Sequence, residues 1–315
     1  MKILTSFAEL NTLKKNMVFA LGTFDGLHIG HQHVIAKAVT EAHKQDAYAV
    51  VLTFDKHPFH IINPQREPKA LLQQADKVRV LEELAVDCVL MLPMTKELIT
   101  MSPEAFVDAL TASKRAVGFV MGENFSFGAG GKGNPRVLTE LLQTTACKDA
   151  QVYTIDLAKC SKRPDHVSST LIRNLISAGD FPAVNALLGR PFRFTGTVIT
   201  GDRRGRTLGF PTLNFLFPQD LVLPPDGVYV NRVFIDGAWY NGVGNLGDNP
   251  TFTNQYHRFE VHLFDFNRDV YGYEATIEFY ALLRGEERFD SLEELIDQIK
   301  ADEQGAKDFF KKNNF

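Results

Sequence analysis

The stretch ALGTFDGLHIGH, residues 20–31, follows a short apolar run and leads into a helix-like segment. The apolar run Met17–Leu21 has the length of a strand, and Gly30–His43 has the spacing of an amphipathic helix. In an open α/β sheet, ligands bind just beyond the carboxyl ends of the strands, which is where this stretch lies. Free N–H groups at a helix start attract phosphate, and glycines let it approach the backbone. The stretch therefore predicts a phosphate-binding turn.

The rest of the first half repeats this alternation of strand and helix. Further apolar runs of strand length are Ala47–Phe54, Val86–Leu92, Ala116–Met121 and Gln151–Ile155. Helix-like segments between them are Gln74–Leu84, Pro103–Ala112 and Arg136–Gln143. Because the apolar runs are continuous rather than alternating, they predict a Rossmann-like α/β domain whose parallel sheet is covered on both faces.

The second half has the pattern of an antiparallel β-barrel. Its strand-like segments are Phe192–Thr200, Thr212–Phe217, Val228–Ile235, Trp239–Val243, Arg258–Asp265 and Glu274–Leu282. Short turn signals separate them, and Asp236-Gly237 suits a tight hairpin. A capping box at Ser291 predicts a terminal helix. Two short helical stretches, Ser169–Ser177 and Phe181–Leu188, precede the change in composition, so we expect domains of residues 1–186 and 187–315.

Bulk properties exclude several classes of protein. The 315 residues suit two domains, and a net charge of −4 disfavours a general nucleic-acid binder. Three cysteines without a CxxC pair support neither a zinc site nor a disulfide framework. The first residues become polar too soon for a signal peptide, and no apolar stretch approaches the ~20 residues of a membrane span. We therefore expect a cytoplasmic protein without a membrane partner.

Two histidines are the candidate catalytic groups of the first half. His28 and His31 lie beside the predicted anion site, where imidazoles can donate hydrogen bonds to phosphate and stabilise charge in a transition state. The alternative is a pair of histidines at a solvated helix start. The position after the first strand favours the functional interpretation. The backbone groups expected to contact phosphate are those of Gly22, Thr23, Phe24 and Gly30.

A second segment, VSSTLIR at residues 167–173, supports the same chemistry. Hydroxyls at a helix start and a guanidinium one turn later form a phosphate clamp. By itself the segment would be an ordinary Ser/Thr cap. The candidate phosphate-binding residues are Ser168, Ser169, Thr170 and Arg173.

The literal GxGxxG match at residues 128–133 does not have the context of a dinucleotide-binding turn. Its glycines do not open the first strand–helix unit, and Pro135 follows them. A loop near the nucleotide or flavin site is the preferred interpretation.

The segment TGDRRGRTLGFPTLN, residues 200–214, carries the candidate chemistry of the second half. Glycines and arginines suit phosphate binding, and the candidates are Gly201, Arg206 and Gly209. Thr212 and Asn214 are two residues apart on a strand and share a face. Their hydroxyl and amide oxygens are hard ligands suited to Mg²⁺, although such a pair without the upstream loop would be a surface pair.

Glu260 is the candidate general base of the second half. It lies within a predicted strand, where a lone carboxylate is commonly solvated. If it faces the site, it can accept a proton from an attacking hydroxyl. His262 shares its face and is interpreted as structural.

The motifs of the first half resemble those of the HxGH nucleotidylyltransferases. The matching segments are GTFDGLHIGH (22–31) and VSSTLIR (167–173), and TFDKHP (53–58) and GENFSFG (122–128) are similar to the FAD synthetase branch. The resemblance implies adenylyl transfer from ATP to FMN with release of pyrophosphate. It implies binding or catalytic roles for His28, His31, Asn124, Arg173 and the hydroxyls of Ser168–Thr170. His57, Pro58 and Asp25 lie in matching motifs, and we place the first two near the flavin, although His57 could equally be a structural turn residue.

The motifs of the second half resemble the riboflavin kinase domain. GRTLGFPTLNF (205–215), DGVY (226–229), GNLGDNPTF (244–252), FEVHLFDF (259–266) and Tyr271-Gly272 occur in the family's order. The resemblance implies a six-stranded β-barrel and phosphoryl transfer from ATP to the ribityl 5′-hydroxyl of riboflavin. It implies Mg²⁺ on Thr212 and Asn214, with Glu260 as the general base.

Two other functions stay open at this level. The chain could be an HxGH nucleotidylyltransferase with another phosphate acceptor, which the kinase-like barrel argues against. It could also be a non-catalytic flavin-binding regulator, which the intact set of His28, His31, Thr212, Asn214 and Glu260 argues against. The sequence does not fix the oligomeric state.

Overall fold

The computed structural model describes residues 1–157, 167–201, 208–248 and 257–314. These residues form two compact units. The first unit consists of Met1–Lys69 and Lys77–Ser168, and the second consists of Ala70–Asp76 and Ser169–Phe315. Each unit is built around one six-stranded sheet.

The first unit contains the predicted parallel sheet. Its strands are β1 Lys2–Leu4, β2 Met17–Leu21, β3 Tyr48–Phe54, β4 Cys88–Leu92, β5 Ala116–Gly122 and β6 Gln151–Ile155, in the order β1-β4-β3-β2-β5-β6. All the pairings are parallel. The helices of this half of the chain are α1 Ile29–Lys44, α2 Phe59–Ile62, α3 Gln74–Glu83, α4 Lys96–Thr100, α5 Pro103–Thr111 and α6 Pro135–Leu142.

The centre of this sheet is fully buried, as continuous apolar strands require. Every residue of β2 is buried, and Phe19 of β2 stacks on Phe119 of β5 with ring centroids 5.5 Å apart. Ser102 is the N-cap of α5, since its hydroxyl accepts a hydrogen bond from the Ala105 N–H. From β2 the chain adds β3 and then β4 on one side, and β5 lies on the other side of β2. This reversal creates the crevice at which open α/β sheets bind ligands, above β2 and β5.

The second unit contains the predicted antiparallel barrel. Its strands are β7 Phe192–Thr197, β8 Leu213–Leu216, β9 Gly227–Ile235, β10 Ala238–Asp248, β11 His257–Leu263 and β12 Glu274–Gly285, in the order β7-β12-β9-β10-β11-β8. A bridge between Ile199 and Asn214 joins the two ends of the sheet. The Asp236-Gly237 turn has positive φ at both residues, 50° and 80°, as a tight hairpin needs. The helices are α7 Ser169–Ser177, α8 Phe181–Leu188 and α9 Leu292–Lys312.

Helix α8 packs within the second unit because its apolar side completes the aromatic core of the barrel. Phe181 contacts the rings of Phe192, Tyr229 and Phe279 at centroid distances of 5.3–5.9 Å. The compact units therefore divide after Ser168, earlier than the expected limit at residue 186. That limit stays a prediction for the extent of the functional domains.

The short segment Ala70–Asp76 also belongs to the second unit. The side-chain amide of Gln73 pairs with the backbone of Thr195 on β7, donating at 3.1 Å and accepting at 2.6 Å. Asp76 is buried, with Oδ1 3.6 Å from the Arg193 guanidinium. These contacts fix the segment along β7.

Candidate active sites

The turn after β2, residues 22–28, has an unusual backbone conformation. Phe24 and Leu27 have φ angles of 47° and 45°, and Gly26 has a φ of 74°. A Cβ atom at Gly22 would lie 2.8 Å from the Phe24 ring, so this ring folds back into space that only glycine leaves open. Phe24 and Leu27 are buried. Left-handed backbone at non-glycine residues costs free energy and persists where the surroundings hold it, commonly at functional sites.

His28 and His31 lie together at the start of α1. Their rings stack with centroids 3.6 Å apart, and the edge of Phe24 packs on His31. His28 is the N-cap of α1, and its Nδ1 accepts a hydrogen bond from the His31 N–H at 3.3 Å. An imidazole nitrogen that accepts a hydrogen bond carries no proton, so the His28 proton is on Nε2.

Gly30 provides a close approach between this helix start and the chain before α7. A Cβ at Gly30 would lie 3.0 Å from Val167 and 3.3 Å from the His28 ring. Val167 is buried, and Ser168 follows it directly. Ser168 is the chain neighbour of Val167, and Val167 packs against the helix start that carries His28 and His31.

The remaining candidates of the first unit follow neighbouring strands. His57 and Pro58 follow β3, and Asn124 follows β5. Because β3, β2 and β5 are adjacent and parallel, these residues lie at the same edge of the sheet as the turn 22–28. His57 Nδ1 accepts the Phe59 N–H at 3.2 Å, which is the contact of a turn residue. Asn124 is exposed.

The glycine-rich loop after β5 does not open the first strand–helix unit of the sheet. Phe127 and Gly133 form a bridge, and a Cβ at Gly133 would lie 2.5 Å from the Phe127 ring. The loop leads into α6 rather than into the first helix of the sheet. Gly133 accommodates the buried Phe127 ring.

Three predicted phosphate-binding residues lie in the second unit. Ser169, Thr170 and Arg173 form the first turns of α7, and that unit begins at Ser169. Ser169 and Thr170 therefore lie at a helix start, as predicted.

Strand register assembles the candidate site of the barrel. Glu260 of β11 pairs with Asn214 of β8 on one side and with Asn245 of β10 on the other. Residues that pair directly across antiparallel strands share a face, so these three side chains form one row. Thr212 is two residues before Asn214 and continues the same face. Asn245 was not predicted from the sequence, because only the β10–β11 register places it beside Glu260.

Polar contacts connect the members of this cluster. The Thr212 hydroxyl lies 3.4 Å from a Glu260 carboxylate oxygen and 3.4 Å from the Asn214 amide nitrogen. The other Glu260 oxygen lies 3.9 Å from the buried guanidinium of Arg258. The Glu260 side chain is 39% exposed, so a ligand can reach its carboxylate.

The Asn214 amide oxygen is suited to a metal ion. It is buried and accepts no hydrogen bond from the residues that the structure describes. A Cβ at Gly201 would lie 2.5 Å from the Asn214 amide, so glycine leaves the space beside it. A buried amide oxygen without a hydrogen-bond donor among the described residues, in a residue whose amide nitrogen contacts the Thr212 hydroxyl, supplies the hard-oxygen chemistry that fits Mg²⁺. In the described parts of the chain no cluster of three His, Cys, Asp or Glu side chains could hold a metal.

Two cavities meet at Thr212. The first, about 450 Å³, is lined by Gly201, Gly209 and Asn214 and by the segment 266–271. The second, about 440 Å³, is lined by Glu260 and Asn245, by Val228 and Val243, and by residues of α9. Thr212 lines both cavities.

Two further predictions concern the surroundings of these cavities. Arg206 lies outside the described residues. The Nδ1 of His262 donates a hydrogen bond to the Pro211 carbonyl at 2.9 Å, which fixes the chain just before Thr212. This contact agrees with the structural interpretation of His262, although its side chain also lines the second cavity.

Comparisons with known families match both halves of the chain. Residues 10–171 match the sequence model of FAD synthetase, and residues 188–310 match that of riboflavin kinase.

Curated relatives match over nearly the whole chain. A bifunctional riboflavin kinase/FMN adenylyltransferase of Listeria monocytogenes is 38% identical, covering 94% of this chain and 93% of the relative. The protein with the same description in Bacillus subtilis is 36% identical over 93% and 92%. That of Escherichia coli K12 is 31% identical over 98% of both chains.

A solved structure shows the same fold. A crystal structure from Streptococcus pneumoniae, described as a macrolide-efflux protein, superposes with a TM-score of 0.85 and 30% identity, covering 97% of this chain and 98% of that one. Among the described residues, no helix has both the length and the hydropathy that crossing a bilayer requires.

Proposed function

Since the chain belongs to the family of bifunctional riboflavin kinase/FMN adenylyltransferases, we propose that it makes FMN in its barrel and FAD in its α/β unit. ATP is the second substrate of both reactions. The observation that carries the proposal is the row of Asn214, Glu260 and Asn245, with Thr212 at the junction of two cavities. A phosphoryl transfer needs two substrates that meet at one point, and two cavities that share Thr212 support the proposal.

In the kinase reaction, Glu260 accepts the proton of the ribityl 5′-hydroxyl as that oxygen attacks the γ-phosphorus of ATP. The new O–P bond forms while the bond from the γ-phosphorus to the bridging oxygen breaks and ADP leaves. The Glu260 carboxylate lies 3.4 Å from the hydroxyl of Thr212, the residue that lines both cavities, which supports this role. The partial exposure of its carboxylate supports a role in contact with substrate.

The two cavities suit different substrates. The second cavity has the apolar walls Val228 and Val243 and a ring, Phe289, which fit the isoalloxazine of riboflavin. The first cavity has the glycines Gly201 and Gly209, where backbone can approach the phosphates of ATP. We assign riboflavin to the second and ATP to the first.

Thr212 Oγ1 and Asn214 Oδ1 would hold Mg²⁺. The bound ion would neutralise charge on the phosphates of ATP, which is its usual contribution to phosphoryl transfer. The chain's own contribution is the two oxygen donors, and the absent side chain of Gly201 leaves space beside the Asn214 amide.

In the adenylyl transfer, a phosphate oxygen of FMN attacks the α-phosphorus of ATP. The bond from the α-phosphorus to the bridging oxygen breaks, and pyrophosphate leaves with that electron pair. The turn 22–28 and the start of α1 bind phosphate with backbone N–H groups. The stacked His28 and His31 donate hydrogen bonds to the oxygens that gain charge. Asn124, His57 and Pro58, at the same edge of the sheet, are assigned to the flavin, and Ser168–Thr170 with Arg173 to phosphate.

A chromatographic time course tests the proposal. The protein is incubated with riboflavin, ATP and Mg²⁺, and the flavins are separated and quantified. The expected result is FMN followed by FAD. FMN without FAD, even when FMN is supplied, would contradict the adenylyl acceptor and favour a different phosphate acceptor. Bound flavin without turnover of ATP would favour the non-catalytic regulator. A cytoplasmic location stays a sequence-based prediction.

A further inference from the structure

Lys77 lies close to the turn 22–28 and was not identified from the sequence. Its Nζ is 3.3 Å from the backbone carbonyl of Thr23 and 3.5 Å from the hydroxyl of Thr53. Thr23 is in the turn after β2, and Thr53 is near the end of β3. Helix α3 thus delivers an ammonium group to the ligand-binding edge of the first unit.

The acceptors of this ammonium are neutral and distant. Charge-assisted N–H···O bonds have donor–acceptor distances near 2.7–2.9 Å, shorter than both contacts of Lys77. Asp25 and Asp55 act on the ammonium by Coulombic attraction, without a hydrogen bond to it. The Asp55 carboxylate is engaged elsewhere, since its Oδ1 accepts the Met94 N–H at 2.7 Å. An ammonium has three donors, and these contacts leave it able to bind a stronger acceptor.

Burial makes this position costly for a cation. Burial lowers the pKa of Lys77, and the charges of Asp25 and Asp55 oppose that effect. A half-buried cation that forms no close ion pair with the residues that the structure describes contributes little to folding. Its position at the substrate edge therefore calls for an explanation beyond stability.

The chemistry of adenylyl transfer supplies that explanation. The reaction brings a phosphate monoester against a triphosphate, so several negative charges meet at one edge of the sheet. His28 already accepts a backbone N–H through Nδ1, so only its other ring nitrogen faces a ligand. A lysine ammonium is a compact charge that binds phosphate well.

We propose that Lys77 is a substrate-binding residue of the adenylyl-transfer site, where its ammonium binds a phosphate oxygen of the reacting nucleotides. The inference rests on the proposed adenylyl transfer and assigns one more group to it. Thr53 holds the arrangement: its hydroxyl donates to the Thr23 carbonyl at 2.8 Å and is itself fully buried. The ammonium exchanges its long contact with the Thr23 carbonyl for a shorter one with phosphate.

The test compares Lys77→Met, Lys77→Gln and Lys77→Arg with a matched control, Lys96→Met. Lys96 is an exposed lysine on α4 in the same unit. Initial rates of FAD formation are measured with FMN varied and with ATP varied. The rate of riboflavin phosphorylation in each preparation serves as a check of folding, and it is expected to be unchanged.

Removal of the charge in Lys77→Met or Lys77→Gln should lower kcat/KM for FAD formation about 100-fold, as loss of a preorganised donor does. Lys77→Arg should recover at least about tenfold of that loss, because it restores the charge with a different shape. A raised KM for FMN would identify the FMN phosphate as the partner, and a raised KM for ATP would identify the triphosphate.

Two results would overturn the inference. In the first, Lys77→Met and Lys77→Gln keep kcat and both KM values within about twofold of the wild type. In the second, Lys77→Arg is no more active than Lys77→Met while phosphorylation of riboflavin is intact, which would mean that charge has no role. If the wild type itself forms no FAD from FMN, the proposed function fails instead.

Discussion

The two candidate sites are built in different ways, although both handle the phosphates of ATP. The first site is local: one turn of seven residues, 22–28, with left-handed backbone at Phe24 and Leu27, places two histidines at a helix start. The second site is non-local, because Asn214, Glu260 and Asn245 come together only through the pairing of three strands. The first depends on backbone geometry and the second on register.

This difference determines how each site can fail. A change in the first site acts through the turn or through the donors that it presents. A change in the second site acts through the proton acceptor or the metal-binding oxygens, while the barrel itself stays folded. Substitutions that remove only chemical groups should therefore separate the two activities.

The largest effect is expected from Glu260→Gln. Loss of a general base typically costs about 10²–10⁴-fold in rate, and glutamine keeps the shape of the side chain. FMN formation from riboflavin should fall by about 10³-fold, while FAD formation from supplied FMN should be unchanged. The control is Glu287→Gln, which removes a carboxylate lining the same cavity. Equal losses in both variants would mean that general negative charge, rather than a positioned base, is what matters.

His28→Ala should give the next largest effect and the opposite selectivity. Loss of one preorganised donor costs about 10²–10³-fold, so FAD formation should fall by that factor with kinase activity retained. His33→Ala is the matched control, since His33 is exposed on the same helix and its ring contacts the Ile29 carbonyl at 2.7 Å. A folded His28→Ala protein that loses both reactions would contradict the assignment of separate sites.

Gly201→Ala tests the second site by adding a methyl group beside Asn214 rather than by removing a reacting group. The added methyl would lie 2.5 Å from the Asn214 amide and push its oxygen out of place. The Mg²⁺ concentration for half-maximal kinase activity should rise about tenfold, as for a disturbed ligand set. Gly285→Ala is the control, because no heavy atom lies within 4 Å of a Cβ there. An unchanged Mg²⁺ dependence would remove Asn214 from the metal site.

The smallest effect is expected from Ser291→Ala, which removes the N-cap of α9. The Ser291 hydroxyl accepts the Glu294 N–H at 3.1 Å, and loss of such a cap costs about 1 kcal/mol. The sole tryptophan, Trp239, lies in the barrel, so its fluorescence during urea unfolding measures the free energy of this unit. Ser291→Asn should retain most of the stability, because asparagine also caps helices. Equal destabilisation by both substitutions would show that the hydroxyl has another role.

Most of the fold was predictable from hydrophobic periodicity. The strand β2 and the helices α7 and α8 have the predicted limits. Strand β1 was missed, since three residues are too short for a pattern. Strand β10 extends to Asp248, beyond the predicted end at Val243, because glycines interrupt its apolar pattern. Gly244 is tolerated there since the Phe259 ring fills the space where a side chain would stand.

The parts of the sites that lie within one short segment of sequence were predictable. The turn 22–28 and the start of α1 lie where the sequence places them, and the Thr212–Asn214 spacing gave a shared face. Asn245 and Lys77 were not found, because their positions depend on strand register and on the docking of a helix. The roles of all these residues stay predictions until the variants are assayed.

The most direct test of the two-site account is complementation between defective variants. Equimolar His28→Ala and Glu260→Gln proteins are mixed with riboflavin, ATP and Mg²⁺, and FAD is measured by chromatography. The account predicts little FAD from either variant alone and restored FAD from the mixture, because one variant makes FMN and the other adenylylates it. Absence of FAD from the mixture, with both proteins folded, would contradict separate sites for the two reactions.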